Sequence, residues 1–372
     1  MRAHSCNGPV GRSMTEMLRL CLVTWCWLFV HGTMAARTRS LSLADVNSSD
    51  FNLTTPQLIE KYGYTVETHT IVSPDGYHLV LHRIPYGRRE TETKLPKPAV
   101  LIHHALLCSS FDWVVMGPEK SLGFMLADAG YDVWLANARG NTYSRKHVSL
   151  DPSDSKFWDF SWHDMGKNDV PAEIDYILKH NGQQKLFYIG HSMGTTMFFV
   201  MTSLRPEYNE KIEAMIAFAP IGHFSRANNR KRLTVMLTHT PAGCSTRQVT
   251  HFAQAAVSGE FKQFDFGTSK NIDVYGQETP PMYDFSKVTT PVTLFYSDND
   301  ILAPMDNVVK LSKILGNVVG EYRVPFKSFN HIDFMWGKNA DTLLYSKVLR
   351  ILDSRGGNNE TTQRQLSVPY TN

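Results

Sequence analysis

The chain has 372 residues, of which 42% are hydrophobic and 20% charged, enough to bury the core of one large α/β domain or two small ones. Its formal charge is +3; without residues 1–36, which hold Arg2, Arg12, Arg19 and Glu16, 35 basic residues face 34 acidic ones. So even a balance gives no ground for expecting nucleic acid or an anionic membrane as partner, and no repeat or low-complexity tract suggests a solenoid or a fibre.

Leu20 to Val30 is an apolar run with Arg19 before it and Thr33-Met34-Ala35-Ala36 after it. The run is too short to span a bilayer, and small residues lie where a signal peptidase cuts. Residues 1–36 therefore read as a signal peptide, cleaved near Ala35 or Ala36, with an uncleaved signal anchor as the alternative; the signal peptide implies secretion or the lysosome. The mature chain is expected to have no transmembrane helix. Three of five cysteines lie in that segment, leaving Cys108 and Cys244. Two cysteines make no disulfide framework; they read as separate buried thiols, with a single bridge as the alternative. Asn47, Asn52 and Asn359 open N-x-S/T triplets in polar surroundings and are expected glycosylation sites.

Glu67 to Val72 and Tyr77 to Ile84 alternate and are joined by Asp75-Gly76, the pattern of a hairpin. Ala99 to His103 is a buried strand, Ser121 to Ala129 a short helix closed by Gly130, and Tyr131 to Ala136 the next strand. An aromatic loop (Phe157, Trp158, Phe160, Trp162) precedes helical spacing from Val170 to His180. A strand from Leu186 follows, then another from Ile212 to Ala219. The pattern is lost from Ile221 to Thr250, although Gln248 to Val257 fits a helix. Val292 to Tyr296 and Glu321 to Val324 read as strands, Met305 to Leu315 and Asp341 to Leu352 as helices, and the tail from Ser354 as polar and disordered. Strands alternating with helices imply a mostly parallel sheet covered on both faces.

The chemistry centres on Gly190-His191-Ser192-Met193-Gly194, which sits between an apolar strand and a helix. Such a strand, turn and helix is the setting of a nucleophile elbow, in which a serine hydroxyl is held out at the tip of a strained turn. Side chains two residues away would strike the turn, so both flanks are glycine. A serine needs a general base and the base an orienting acid. In the order serine, acid, histidine, Asp300 follows the Val292 strand, with Asp298 in reserve, and His331 is the last histidine of the chain. The oxyanion donors expected are the backbone N–H groups of Met193, directly after the serine, and Leu106, in the loop after the Ala99 strand. No metal-ligand motif and no dinucleotide-binding glycine pattern is present, so neither metal nor cofactor is expected.

With these motifs in place the chain resembles the acid lipase family, which contains gastric lipase and lysosomal acid lipase. The likeness runs from about Tyr62 to Leu352. It is densest in Asp75-Gly76-Tyr77, Leu126 to Trp134, Arg139-Gly140-Asn141-Thr142, Gly190-His191-Ser192, Pro241-Ala242-Gly243, Tyr275-Gly276, Pro280-Pro281 and Asn330-His331. The resemblance implies an α/β-hydrolase fold, hydrolysis of lipid carboxylic esters at a lipid–water interface, and the triad Ser192, Asp300 and His331 with donors Leu106 and Met193. Three features depart from the family pattern. His104-Ala105 stands where the family has His-Gly; if that site needs φ > 0, alanine costs about 1–2 kcal/mol. Met193 stands for glutamine, a small change where the donor is backbone. About twenty residues near 221–240 replace a cap of several helices that carries the lid and a disulfide.

The expectation is thus a signal peptide over 1–36, an α/β-hydrolase domain over 37–353 with a shortened cap, and a tail over 354–372. The activity expected is that of a lipase acting on acylglycerols or sterol esters. The rival readings are a non-catalytic lipid-binding scaffold and a short-chain carboxylesterase favoured by an open site.

Overall fold

The computed structural model describes residues 50, 52–90, 96–223 and 242–356. The signal-peptide segment, Asn47, Asn359, the tail beyond 356 and the shortened cap apart from 221–223 lie outside the described residues. The described residues from Leu53 onward form one compact unit.

A helix absent from the sequence reading, α1 (Thr55–Lys61), opens the unit under a capping box between Thr54 and Gln57. The hairpin forms as expected from β1 (Glu67–Val72) and β2 (Tyr77–Ile84), with Gly76 at φ 96 in its turn. The chain continues through β3 (Ala99–His103), α2 (Leu122–Asp128), β4 (Asp132–Ala136) and a two-residue strand, β5 (Lys146–His147), that pairs with β2. The aromatic loop is not irregular: it winds into short helical turns and a π-helical turn, Met165–Asp169, that runs directly into α3 (Val170–Asn181). Gly166 allows this, since a Cβ there would lie 2.6 Å from the Met197 carbonyl oxygen.

After α3 come β6 (Leu186–His191), α4 (Met193–Leu204), β7 (Ile212–Phe218), α5 (Thr246–Ser258) and α6 (Thr268–Tyr275). The last elements are β8 (Val292–Tyr296), α7 (Met305–Ile314), β9 (Val318–Arg323), a turn at Asp333–Trp336 and α8 (Ser346–Ser354). Helix α6 was missed because its apolar residues are few and mostly exposed; Gly267 and Gly276 bound it. Strand β9 starts three residues before the expected Glu321, and its burial alternates, as befits an edge strand broken in pattern by Gly320.

The strands lie in the order β1-β2-β4-β3-β6-β7-β8-β9. The pairs from β4 to β9 are parallel, and β2 is antiparallel to both β1 and β4. This is the α/β-hydrolase architecture expected from the strand–helix alternation. Strands β3, β4, β6 and β8 are buried along their whole length. Helix α4 is buried on all sides except at Leu204, which suits a helix covering the middle of the sheet. The chemistry-bearing residues follow the C-terminal ends of β3, β6, β8 and β9, the edge where open parallel sheets present their loops. No helix among the described residues is long and apolar enough to cross a membrane.

Candidate active site

Ser192 sits between the last residue of β6 and the first of α4, at φ 53 and ψ −113. That strained backbone is held by a bond from its N–H to the Phe218 carbonyl (3.0 Å) and by its own carbonyl, which accepts from the Thr195 hydroxyl (2.6 Å). The flanking glycines are required sterically. A Cβ on Gly190 would stand 2.8 Å from the Gly194 carbonyl carbon, and one on Gly194 would stand 2.7 Å from the His103 carbonyl oxygen. Met193 opens α4, so its N–H belongs to the donors at a helix N-terminus that have no partner within the helix. Its side chain turns away into the interior, where the Gln248 amide approaches its sulfur at 3.3 Å.

The loop after β3 is a four-residue turn, Ala105 to Cys108, closed by the Cys108 N–H on the Ala105 carbonyl (3.2 Å). Leu106 lies inside it, partly buried against the core. The backbone strain expected at Ala105 falls elsewhere: Ala105 is not at positive φ, whereas Leu107 is, at 66°. Substituting alanine for the family's glycine therefore carries no left-handed penalty here; a leucine two residues on bears it. The turn is pinned from two sides. The Ala242 N–H donates to the Leu107 carbonyl (3.0 Å), while the His104 ring donates from Nδ1 to the Ala105 carbonyl (2.7 Å) and accepts from the Ala138 N–H at Nε2 (3.1 Å). Both bonds require the same tautomer, and burial pushes His104 down to about 3, so the ring stays neutral.

Asp300 and His331 meet at the ends of β8 and β9. The His331 Nδ1 and the Asp300 Oδ2 are 2.8 Å apart, and both residues are buried. The other carboxylate oxygen accepts from the N–H groups of Leu302 (2.9 Å) and Ala303 (2.8 Å). Burial alone would raise the Asp300 carboxyl; the His331 ring and these two donors outweigh it and hold it below its ordinary value. The reserve carboxylate, Asp298, points elsewhere, into an ion pair with Arg323. The His331 Nε2 is buried and has no hydrogen-bond partner among the described residues.

A buried polar network joins two stretches that the sequence marked only for their family likeness, Asp75-Gly76-Tyr77 and Arg139-Gly140-Asn141-Thr142. Arg139 is buried, pairs with Asp75 (2.7 and 2.8 Å) and Asp169 (2.7 Å), and lies over the Tyr77 ring. Burial raises the Asp169 carboxyl to about 7 against the pull of Arg139. His103 bonds the buried Glu173. Cys108 is buried and Cys244 partly exposed, and neither is in a disulfide, so only Cys108 fits the expected buried thiol. Asn52 is exposed, as a glycosylation site requires. Glu67, His69 and His180 offer metal-ligand atoms within 4.8 Å of one another, but the Arg83 guanidinium already lies among them, at 2.9 Å from Glu67 and 3.0 Å from His180.

Comparison with known proteins matches residues 55–117 to the model of a partial alpha/beta-hydrolase lipase region and residues 98–237 to that of the alpha/beta hydrolase fold. The chain is 40% identical to Lipase 1 of Drosophila melanogaster, over 82% of this chain and 80% of that one. It is 32% identical to the gastric triacylglycerol lipase of Bos taurus, over 89% and 98%. It is also 32% identical to the lysosomal acid lipase/cholesteryl ester hydrolase of Macaca fascicularis, over 90% and 97%. Among solved structures, a bacterial membrane phospholipase A superposes with a TM-score of 0.50 at 14% identity, over 93% of this chain and 98% of that one, a likeness of fold.

Proposed function

Because the chain belongs to the acid lipase family of α/β-hydrolases, and is an ester hydrolase of the lipase kind, we propose that it cleaves fatty-acyl esters through Ser192, His331 and Asp300. The supporting observation is the 2.8 Å contact of His331 Nδ1 with Asp300, which leaves Nε2 as the free nitrogen of a buried base. In this reading His331 Nε2 takes the proton of the Ser192 hydroxyl as Oγ attacks the ester carbonyl carbon. The oxyanion accepts from the N–H groups of Met193 and Leu106, each worth about 3–4 kcal/mol of transition-state stabilisation. His331 then passes the proton to the leaving alcohol, and water repeats the sequence on the acyl-enzyme. Asp300 holds the ring in one tautomer and stabilises its charged form.

The substrates proposed are acylglycerols or sterol esters met at a lipid–water interface, by analogy with the names of the bovine and macaque relatives. A secreted or lysosomal location follows from the same analogy and from the N-terminal apolar run. One observation favours the short-chain esterase as second reading. The alignment with the bovine enzyme spans 394 positions but uses only 89% of this 372-residue chain, so about 60 positions have no residue here, in keeping with a reduced cap. Rates on emulsified triacylglycerol and on soluble two- to four-carbon nitrophenyl esters separate the two. A lipase gains rate with chain length and at the solubility limit; turnover confined to the short soluble esters would contradict the lipase reading.

A further inference from the structure

His191 is the last residue of β6, is fully buried and directly precedes Ser192. Its Nε2 lies 2.9 Å from the backbone carbonyl oxygen of His331. A carbonyl only accepts, so Nε2 carries the proton and donates. Nδ1 is then the unprotonated nitrogen; it is buried and has no partner among the described residues. Aromatic rings enclose the imidazole: Phe334 at 5.9 Å, Trp113 at 6.4 Å and His331 itself at 4.8 Å between centroids.

The loop that carries His331 is otherwise tethered locally or to the acid loop. Phe329 N–H bonds Phe326 (2.9 Å), Asn330 N–H bonds the Asp333 carboxylate (2.7 Å), and the Asn299 amide bonds Ser328 (3.0 Å). Among the described hydrogen bonds, the one from His191 is the polar tie between this loop and the strand that ends at the nucleophile. We propose that His191 is a positioning residue, a neutral clamp that sets the separation of Ser192 and His331. This deepens the reading above and rests on it.

Neutrality is part of the device. The charged or titratable groups facing His191 are His331, Asp300 and His104. Burial and the two histidines push its protonation well below the ordinary histidine range, against the opposing pull of Asp300 and the bonded carbonyl. A charged His191 would stand against the imidazolium that His331 becomes during catalysis; an uncharged one holds the loop without opposing that charge.

The test uses the full chain as wild type, His191→Gln and His191→Phe. Glutamine keeps an N–H donor without titrating; phenylalanine keeps bulk without the donor. The readouts are kcat and KM on a soluble ester, the rate of fluorophosphonate labelling, thermal stability, and the pH–rate profile from pH 4 to 8. Misplacing a catalytic group by about 1 Å costs about 100-fold. His191→Phe is therefore expected to lose roughly 10- to 100-fold in kcat and labelling rate with KM nearly unchanged. His191→Gln is expected to recover most of that loss and to give a pH profile that superimposes on wild type. Wild-type kcat in folded His191→Phe, or a Gln variant as slow as the Phe variant, would overturn the clamp. An ionisation present in wild type and absent from the Gln variant would overturn its neutrality. If His191→Phe does not fold, a folded His191→Gln that loses about ten-fold or more in kcat overturns the clamp. Ser192→Ala in the same assay keeps the two claims apart: hydrolysis that survives it sinks the triad reading, whereas a silent Ser192→Ala beside a normal His191→Phe sinks only the clamp.

Discussion

The two sides of the proposed site, the nucleophile side and the acid–base side, are built by different physics. The Ser192 elbow is steric and local. Five consecutive residues, two of them glycines that admit no Cβ, force one geometry on the chain between β6 and α4. The Asp300–His331 side is polar and distributed. Its two members lie 31 residues apart on different loops, and hydrogen bonds hold them in register. A steric site is perturbed by adding volume at a few positions, whereas a polar site is perturbed by removing a partner and leaving a buried group unsatisfied.

The sharpest way to break this contrast acts on the polar side. Asp300→Asn keeps the size of the side chain but removes the acceptor that fixes the His331 tautomer. Its kcat should fall by about 10⁴-fold, the loss known when a triad aspartate is so changed. Asp298→Asn, which only frees Arg323, should stay within about three-fold of wild type, as expected for a surface ion pair. Steady-state kinetics on one soluble ester measures both; equal losses would mean that the acid was wrongly assigned.

On the steric side, Gly194→Ala drives a methyl group into the His103 backbone just before the oxyanion turn. A destabilisation of about 1–3 kcal/mol is expected in chemical unfolding, with kcat reduced about 10- to 100-fold. Unchanged stability would show that the elbow has room to relax.

His82 lies outside both sides and calibrates the response of the fold to pH. Burial pushes it down to about 4 from its ordinary 6.5, so between those values the unfolded chain binds a proton that the folded chain does not. The contribution is intact above about pH 6.5 and is lost as pH falls toward 4. His82→Gln should start less stable, having lost its bond to Ser110, yet lose about 2 kcal/mol less than wild type between pH 6.5 and 4.5. Unfolding midpoints measured across that range give the slope; parallel slopes would mean that His82 is protonated in the fold.

The smallest effect belongs to the turn proposed to hold the oxyanion. Ala105→Gly restores the residue typical of the family at a position that is not at positive φ, so turnover should change by less than about three-fold and stability should drop by under about 1 kcal/mol through chain entropy. A large gain in kcat would place the strain at Ala105 after all.

What was legible in the sequence follows the same division. The elbow could be read because its signature lies in five neighbouring residues and their flanking strand and helix, although His103 and Phe218 also constrain it. The strands and their mostly parallel pairing could be read because most strands are apolar runs bounded by turns and separated by helices, but their order in the sheet could not. Asp300 and His331 were located by their order along the chain rather than by anything local. Leu107 was missed because leucine does not announce a left-handed backbone; the turn imposes it. His191 was read only as the variable residue of a motif, since its partner is a carbonyl 140 residues away. Helix α6 escaped because its exposed face carries little of the periodicity that packing usually imprints.

Labelling the purified protein with a fluorophosphonate probe, beside Ser192→Ala, tests the central claim most directly. The probe reacts with a serine that is activated by a base and faces an oxyanion site. Label on the wild type and none on the variant is the result expected if Ser192, His331 and the donors of Met193 and Leu106 work as one unit. A folded wild type that takes no label, or a Ser192→Ala variant that takes as much, would contradict it.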